Sequence, residues 1–470
     1  MVNDMLHIDK KLIQLVATEQ AFHYRIVPFK AENGVIYFKT DTLEVKLLSS
    51  ELKIVLDTNV SLIKVPSEEI NNLLSANYRQ NQNRNKTTLN YTSDFLEKIL
   101  MSANEIGSSD IHFEPYEKSC RVRFRLDGKL VEQFTISNDE YPSIINKIKI
   151  RASLDIAEKR LPQDGRITIK TSLTEFDIRV STLPTLFGEK IVLRILSKDT
   201  SGIDLNNLGF SKNELKIYKE AIKKPNGMIL ISGPTGSGKT TTLYATLKLL
   251  NDSKTNILTI EDPIEYTLEG VNQVQLKENI GLDFANAMRT FLRQDPDIIM
   301  VGEIRDVNTA NMGIRAALTG HLVLSTIHTN SAWATISRLI DMGVHSFLIA
   351  STLNLSVAQR LVRKLCTTCK QKKEVSRQKF PDDFKSAINF THHYIAVGCT
   401  KCHHTGYQGR KAIYEIIPIT KELVLMIKDN VLQIDDYLKT NNIRTLQQNA
   451  IEMINEGSTS IDEVYSMLTN

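Results

Sequence analysis

Gly233-Pro234-Thr235-Gly236-Ser237-Gly238-Lys239-Thr240 decides the fold of this chain. It fits Gly-x-x-x-x-Gly-Lys-Ser/Thr and lies in the setting which that pattern requires. Upstream, the short apolar run Met228-Ile229-Leu230-Ile231 reads as a buried strand. Downstream, Thr241 to Leu250 reads as a helix. Strand, glycine loop and helix together suit a nucleoside triphosphate. The glycines let backbone N–H groups approach phosphates, and the helix N-terminus adds partial positive charge. Lys239 is expected to reach the β and γ phosphates, and the Thr240 hydroxyl to ligate Mg²⁺. The phosphate-facing set is Gly233, Pro234, Thr235, Gly236, Ser237, Gly238, Lys239, Thr240 and Thr241. ATP with Mg²⁺ is the implied ligand.

From about Gly202 onward, strands alternate with helices as in a parallel α/β sheet. A phosphate-cleaving site needs carboxylates near the metal and the attacking water. Sheet topology brings residues that follow a strand to the nucleotide edge. Two acidic segments qualify. Glu261-Asp262-Pro263-Ile264-Glu265 follows the apolar run Ile257–Ile260, and Gly302-Glu303-Ile304-Arg305-Asp306 follows Ile298–Val301. Glu303 is assigned as the water-activating base. Glu261, Asp262 and Glu265 read as metal-shell or base-positioning groups, and one of them remains the alternative base. Asp297 precedes its strand, at the wrong end. Asp306 reads as the N-cap of a helix running to Thr319, with Gly320 just past it.

His321 and His328 bracket the strand Leu322–Thr326. A lone histidine at a strand end is usually an ordinary polar residue, but His328 follows the active end and is read as a γ-phosphate contact or sensor. Arg289 and Arg293 stand four apart on a predicted helix and share its face. Arg179 and Arg194 lie in the preceding domain. An arginine delivered from another domain can stabilise charge on a transferring phosphoryl group, with surface ion pairing as the plain alternative.

A chain of 470 residues implies two to four domains. With 41% apolar and 24% charged residues it is globular rather than disordered, and a net charge of +4 does not argue for nucleic acid. No apolar run approaches the roughly 20 residues of a membrane helix, and Met1 to Gln20 carries charges without a signal-peptide core. A cytosolic chain with a peripheral membrane role is expected. Residues 1–78 form a small N-terminal unit, with a strand at Val35–Phe38 and a helix over Ser67–Leu74. Residues 79–91, rich in Asn and Gln, read as a linker. Residues 92–200 read as an α+β domain. Its helix is capped near Thr92 and aligns Phe95, Ile99 and Leu100, its strands lie at Arg121–Leu126 and Phe176–Val180, and Leu161–Arg166 reads as a turn. The nucleotide domain takes 201–470.

Cys366-Thr367-Thr368-Cys369 and Cys399-Thr400-Lys401-Cys402 are two Cys-x-x-Cys knuckles, 29 residues apart. Four thiolates at this spacing suit tetrahedral structural Zn²⁺, within an insertion placed at 362–412 that is expected to contain a small helix. His403 and His404 adjoin the second knuckle but are not needed as ligands. Cys120 reads as a packed residue. Lys370, Lys372 and Lys373 read as solvated surface rather than a nucleic-acid patch.

These residues together resemble the type II secretion and type IV pilus assembly ATPase family over roughly 92 to 470. The matching segments are Ser109-Asp110-Ile111-His112-Phe113-Glu114-Pro115, Leu161-Pro162-Gln163-Asp164-Gly165-Arg166 and Leu183-Pro184-Thr185-Leu186-Phe187-Gly188-Glu189-Lys190. The family's Walker A is the glycine loop, its aspartate box resembles Thr259 to Tyr266, its Walker B resembles Asp297 to Asp306, and its histidine box resembles Thr319 to Asn330. The tetracysteine element and Thr405–Arg410 complete the pattern. The resemblance implies a RecA-like P-loop NTPase domain preceded by a PAS-like α+β domain that covers the nucleotide, and a small N-terminal docking domain. It implies a homo-hexameric motor at the cytoplasmic face of the inner membrane, acting through a platform protein and a membrane-anchored docking protein. In the family, arginines at the positions of Arg179 and Arg194 reach the phosphates, Arg289 and Arg293 lie nearby, and Glu303 matches the catalytic glutamate. A pseudopilus for type II secretion is the first reading, and pilus assembly shares the chemistry. A nucleic-acid motor or zinc module is the competing class, and it predicts a basic face that the composition does not supply.

Overall fold

The computed structural model describes residues 95–170, 175–197, 204–375 and 392–469, together with 379–381, 384 and shorter stretches between 10 and 88. The chain divides into two compact units, Met1–Asn90 with Gln133–Thr135, and Tyr91–Glu132 with Ile136–Asn470.

In the first unit, Ile26–Glu32 and Val35–Thr40 form a hairpin, and Asn59–Lys64 lies parallel to the second strand. The helix Val45–Leu56 makes that crossover. Ile26, Val27, Phe38, Leu52, Ile70 and Leu74 are buried together. Within 67–74 the described residues are helical. The linker at 79–91, apart from the strand Thr87–Thr88, and the cap near Thr92 lie outside the described residues.

In the second unit, Cys120–Leu126, Asp110–Pro115, Gly188–Ser197, Glu175–Thr185 and Gln163–Lys170 follow one another in an antiparallel sheet. Period-two alternation sets its two faces. Cys120, Val122, Phe124 and Leu126 are buried, while Arg121, Arg123 and Arg125 point the other way. Helices Phe95–Glu105 and Tyr141–Arg151 bury Ile99, Leu100, Ile145 and Ile148. The turn expected at Leu161–Arg166 ends sooner. Gln163 already pairs with Thr182, and Arg166 with Arg179. Gly165 signals close packing rather than a bend, because a Cβ there would stand 2.6 Å from the Ala152 carbonyl oxygen.

The nucleotide domain is an α/β layer structure. Its sheet runs Asn272–Gln275, Ile257–Glu261, Ile298–Val301, Leu322–Ile327, Gly227–Ser232, Leu353–Leu365, Tyr407–Pro418. All neighbours are parallel except the last pair. Strands buried on both sides explain the unbroken apolar runs in the sequence. One side packs on Met288, Phe291, Trp333 and Ile336, the other on Tyr218, Leu243, Tyr244 and Tyr414. The helix Val307–Leu318 starts at Asp306, whose carboxylate accepts from the Thr309 N–H at 2.9 Å. The helix Phe284–Phe291 ends before Arg293, so Arg289 and Arg293 do not share a helical face. Arg293 Nη1 instead donates to the Arg289 carbonyl at 3.1 Å.

The C-terminal helices Lys421–Lys428, Asp435–Thr440, Leu446–Asn455 and Ile461–Leu468 close the apolar side. The third of them, Leu446–Asn455, is tied to the sheet by Glu415, only 4% exposed, on the antiparallel strand. Its carboxylate accepts from the Ala332 N–H at 2.7 Å and the Leu446 N–H at 3.2 Å. Burial pushes this carboxyl up from its ordinary range, against the two N–H donors. Replacing Glu415 by Ala strands two buried N–H groups, and is expected to lower stability by about 3 kcal/mol. Chemical denaturation checks this, with Glu415→Gln expected to lie between wild type and Glu415→Ala.

Candidate nucleotide site and tetracysteine centre

The glycine loop follows the strand Gly227–Ser232 and opens the helix Lys239–Leu250. Its turns require two glycines in particular. Gly238, at φ 88°, sits at the helix N-cap in the left-handed region. Gly233, at φ 150°, lets the loop pass so close to the next strand that a Cβ would meet the Gln359 carbonyl oxygen at 2.5 Å.

The loop is held from behind by Gln359, which the sequence reading missed. Its amide is 2% exposed. Nε2 donates to the Ser237 carbonyl at 2.9 Å, and Oε1 accepts from the Thr242 hydroxyl at 2.9 Å. Arg360 beside it donates to the Asn330 carbonyl at 2.9 Å, which links the loop to the segment after His328. The polar pair Gln359-Arg360 set between Val357-Ala358 and Leu361-Val362 was the available signal.

Lys239 lies over the loop, with Nζ donating to the carbonyls of Gly233 at 2.8 Å and Pro234 at 3.1 Å. Burial pulls its ammonium below the ordinary lysine range, Glu303 opposes that, and Arg360 adds to it. Thr240 is exposed in the first helical turn and Thr241 is half-buried behind it. Thr240 thus offers a hard oxygen at the open end of the loop, as Mg²⁺ prefers.

Glu303 is set by backbone hydrogen bonds on both sides of it. The Gly302 N–H donates to the Ile260 carbonyl at 2.8 Å, and the Ile304 N–H to that of Thr326 at 2.9 Å. The Thr326 hydroxyl adds a 2.8 Å bond to the Gly302 carbonyl. The Glu303 carboxylate therefore projects from the C-terminal edge of the sheet, where His328 Nε2 lies at 3.2 Å and Arg305 makes a close ion pair. Arg305 also stands 3.6 Å from Asp262. Lys239, Glu303, His328 and Arg305 are thus gathered at one edge. His321 is not among them. It sits at the other end of its strand, with Nδ1 2.9 Å from the Ala316 carbonyl.

Glu261 leaves the expected metal shell. It is the last residue of its strand and shares a face with Thr259. The Thr259 hydroxyl donates to it at 2.6 Å, Gln273 Nε2 at 3.1 Å, and Tyr244 closely. Three donors in a buried pocket make it the anchor of the segment that follows. Glu265, on that segment, lies 3.7 Å from Arg179 Nη1, and Arg179 Nη2 donates to the Ile264 carbonyl at 2.6 Å. Arg179 therefore crosses from the antiparallel sheet to the nucleotide domain. Arg194 Nε donates to Asp110 at 2.9 Å and feels Glu265 as well. Arg289 is turned to Asn286 at 2.6 Å.

The four sulfurs of Cys366, Cys369, Cys399 and Cys402 all lie within 4.8 Å of one another. Three pairs stand 3.7 to 3.9 Å apart. Metal–sulfur bonds of about 2.3 Å in a tetrahedron give about 3.8 Å between sulfurs, so the set fits Zn²⁺. Backbone N–H groups of Gly398, Cys399 and Gly406 donate to Cys369 and Cys402 at 3.2–3.3 Å, an arrangement that favours thiolate. Between the knuckles, Gln371–Glu374 and His392–Ile395 form an antiparallel ribbon, and most of the stretch between them, where a small helix is expected, lies outside the described residues. Cys120 is buried, with Sγ 3.2 Å from the Asn138 side-chain oxygen.

The Type II/IV secretion system protein family matches residues 85–466. A type IV pilus assembly ATPase PilB of Myxococcus xanthus is 50% identical over 374 residues, 78% of this chain, and the aligned part spans 66% of that protein's length. A protein of the same name from Acinetobacter baylyi is 41% identical over 97% of this chain and 83% of its own length. The type II secretion system ATPase E of Vibrio cholerae is 42% identical over 78% of this chain and 74% of its own. The match spans most of the chain, including the glycine loop, the Glu303 edge and the four cysteines. The chain belongs to the Type II/IV secretion system protein family.

Proposed function

We propose that this chain is an ATP-hydrolysing motor that drives assembly of a pilus-like fibre. The observation that carries the reading is the conjunction at one sheet edge of the Gly233–Thr240 loop, Lys239 and a Glu303 carboxylate held by backbone bonds on both sides. Lys239 neutralises the β and γ phosphates. Glu303 takes the proton of the attacking water as its oxygen bonds the γ phosphorus and the bond to the ADP oxygen breaks. His328 and Arg305 orient Glu303, and His328 is placed to sense the leaving phosphate. Mg²⁺, held through Thr240, supplies charge neutralisation to the triphosphate. Arg179 and Arg194 bring charge from the antiparallel domain, with Glu265 positioning Arg179. Zn²⁺ on the four cysteines is a structural staple.

In this reading residues 201–470 are the RecA-like motor domain, 92–200 the PAS-like cover, and 1–78 a docking domain beyond the linker 79–91. The motor works as a homo-hexamer at the cytoplasmic face of the inner membrane, with a platform protein and a membrane-anchored docking protein. No helix among the described residues is long and apolar enough to cross a membrane. Type II secretion through a pseudopilus was the first choice from motifs. Pilus assembly stands beside it: the pilus relative from Acinetobacter baylyi aligns over 97% of the chain, while the one from Myxococcus xanthus and the secretion relative from Vibrio cholerae each cover 78%.

Lys239→Ala and Glu303→Gln are each expected to abolish ATP turnover, measured as phosphate release, while Glu303→Gln still binds ATP. Normal hydrolysis by Glu303→Gln would remove it from the role of base. Elemental analysis is expected to find about one Zn²⁺ per chain, since four thiolates complete one tetrahedral site. A folded preparation without metal would refute the staple.

A further inference from the structure

The cross-strand register of the antiparallel sheet aligns three arginines. Arg166 lies opposite Arg179, and Arg179 opposite Arg194. The row continues through Asp110, which pairs with Arg194. Residues directly opposite one another stand about 5 Å apart at Cβ, and like charges there repel. The register therefore gathers three like charges on one face of the sheet, each set against a partner of its own.

Of the carboxylates, Asp110 continues the row, and Asp177 lies beside it, two residues from Arg179 on the same strand and opposite Thr168. Asp177 takes Arg166 Nη2 at 2.5 Å, and Asp110 takes Arg194 at Nε, 2.9 Å. Each bond uses one part of a five-donor group. Arg179, in the middle, is turned to the Ile264 carbonyl and to Glu265 at 3.7 Å. Arg179 thus links the row to the segment Ile264–Glu265 of the nucleotide domain. Arg166 and Arg194 remain 66% and 58% exposed at their side chains, so their remaining donors face open solvent on the same side. Asp177 is buried and also accepts from the Thr168 hydroxyl at 2.7 Å, which fixes the carboxylate that holds Arg166.

We propose that Arg166 joins Arg179 and Arg194 in a single three-arginine anion site that grips the terminal phosphate of ATP as the two domains close. The sequence reading assigned Arg179 and Arg194 to phosphate but gave Arg166 to a turn. The inference rests on the ATP reading above. Planar forks set side by side suit a tetrahedral oxyanion, and each charge-assisted bond discriminates for the γ-phosphate.

The test uses the full-length assembled protein and compares the dissociation constants of ADP and a non-hydrolysable ATP analogue, both with Mg²⁺. Arg166→Ala is expected to weaken analogue binding about tenfold while leaving ADP binding unchanged. Arg166→Lys, which keeps the charge beside Asp177 but not the fork, is expected to recover only part of the loss. An unchanged ratio of the two constants in Arg166→Ala, or full recovery of analogue binding by Arg166→Lys, would overturn the proposal and leave Arg166 a counter-ion for Asp177. Arg179→Ala is run alongside. If it alters the ratio and Arg166→Ala does not, the third arginine fails by itself. If wild type binds neither nucleotide, the ATP reading fails first.

Discussion

A buried amide gives the nucleotide loop its shape. Gln359 holds the loop carbonyl of Ser237 on one side and the helix hydroxyl of Thr242 on the other. A loop of glycines has many conformations in isolation, and ordering each residue costs conformational entropy. Bonds made within a buried pocket offset that cost and fix the N–H groups before any phosphate arrives. The same strand carries Arg360 to the segment after His328 and runs on to Cys366. Loop geometry, the Glu303 edge and the sulfur centre thus hang from one strand.

That strand makes the one antiparallel pair of the nucleotide sheet, Leu353–Leu365 with Tyr407–Pro418. Its far end is stapled by the cysteines, since Cys366 directly follows one strand and Cys402 shortly precedes the other. Its middle carries Gln359 and, across the pair, Glu415, which accepts from the first N–H of the C-terminal helix Leu446–Asn455. The stretch just before Arg410 meets the antiparallel domain, where the Gly409 N–H donates to Asp127 at 2.8 Å. Arg179 makes a second crossing to Ile264. Among the described residues these polar contacts join the two domains, and polar contacts between domains permit relative movement.

The sequence made the parallel sheet, the glycine loop and Glu303 legible because each depends on local order: an apolar run, then a turn or an acid. Asp306 was legible as a cap for the same reason. Gln359 was not, because its partners Ser237 and Thr242 lie more than a hundred residues away. Glu261 was misread by one position. The strand includes it, so parity turns it inward toward Thr259 and Tyr244 rather than outward to a metal. Pro162 and Gly165 mimicked a turn, but Ile167 and Ile169 are buried on a continuing strand. The three-arginine row is a property of register, which no single segment encodes.

The central claim is that the Gln359-anchored loop is a working triphosphate site. Calorimetric titration of the purified, assembled chain with ATP and Mg²⁺ tests it most directly. Saturable binding that ADP displaces, and that Gln359→Leu weakens severalfold without unfolding the domain, is the predicted result. A folded assembly that takes up no ATP under these conditions would contradict it.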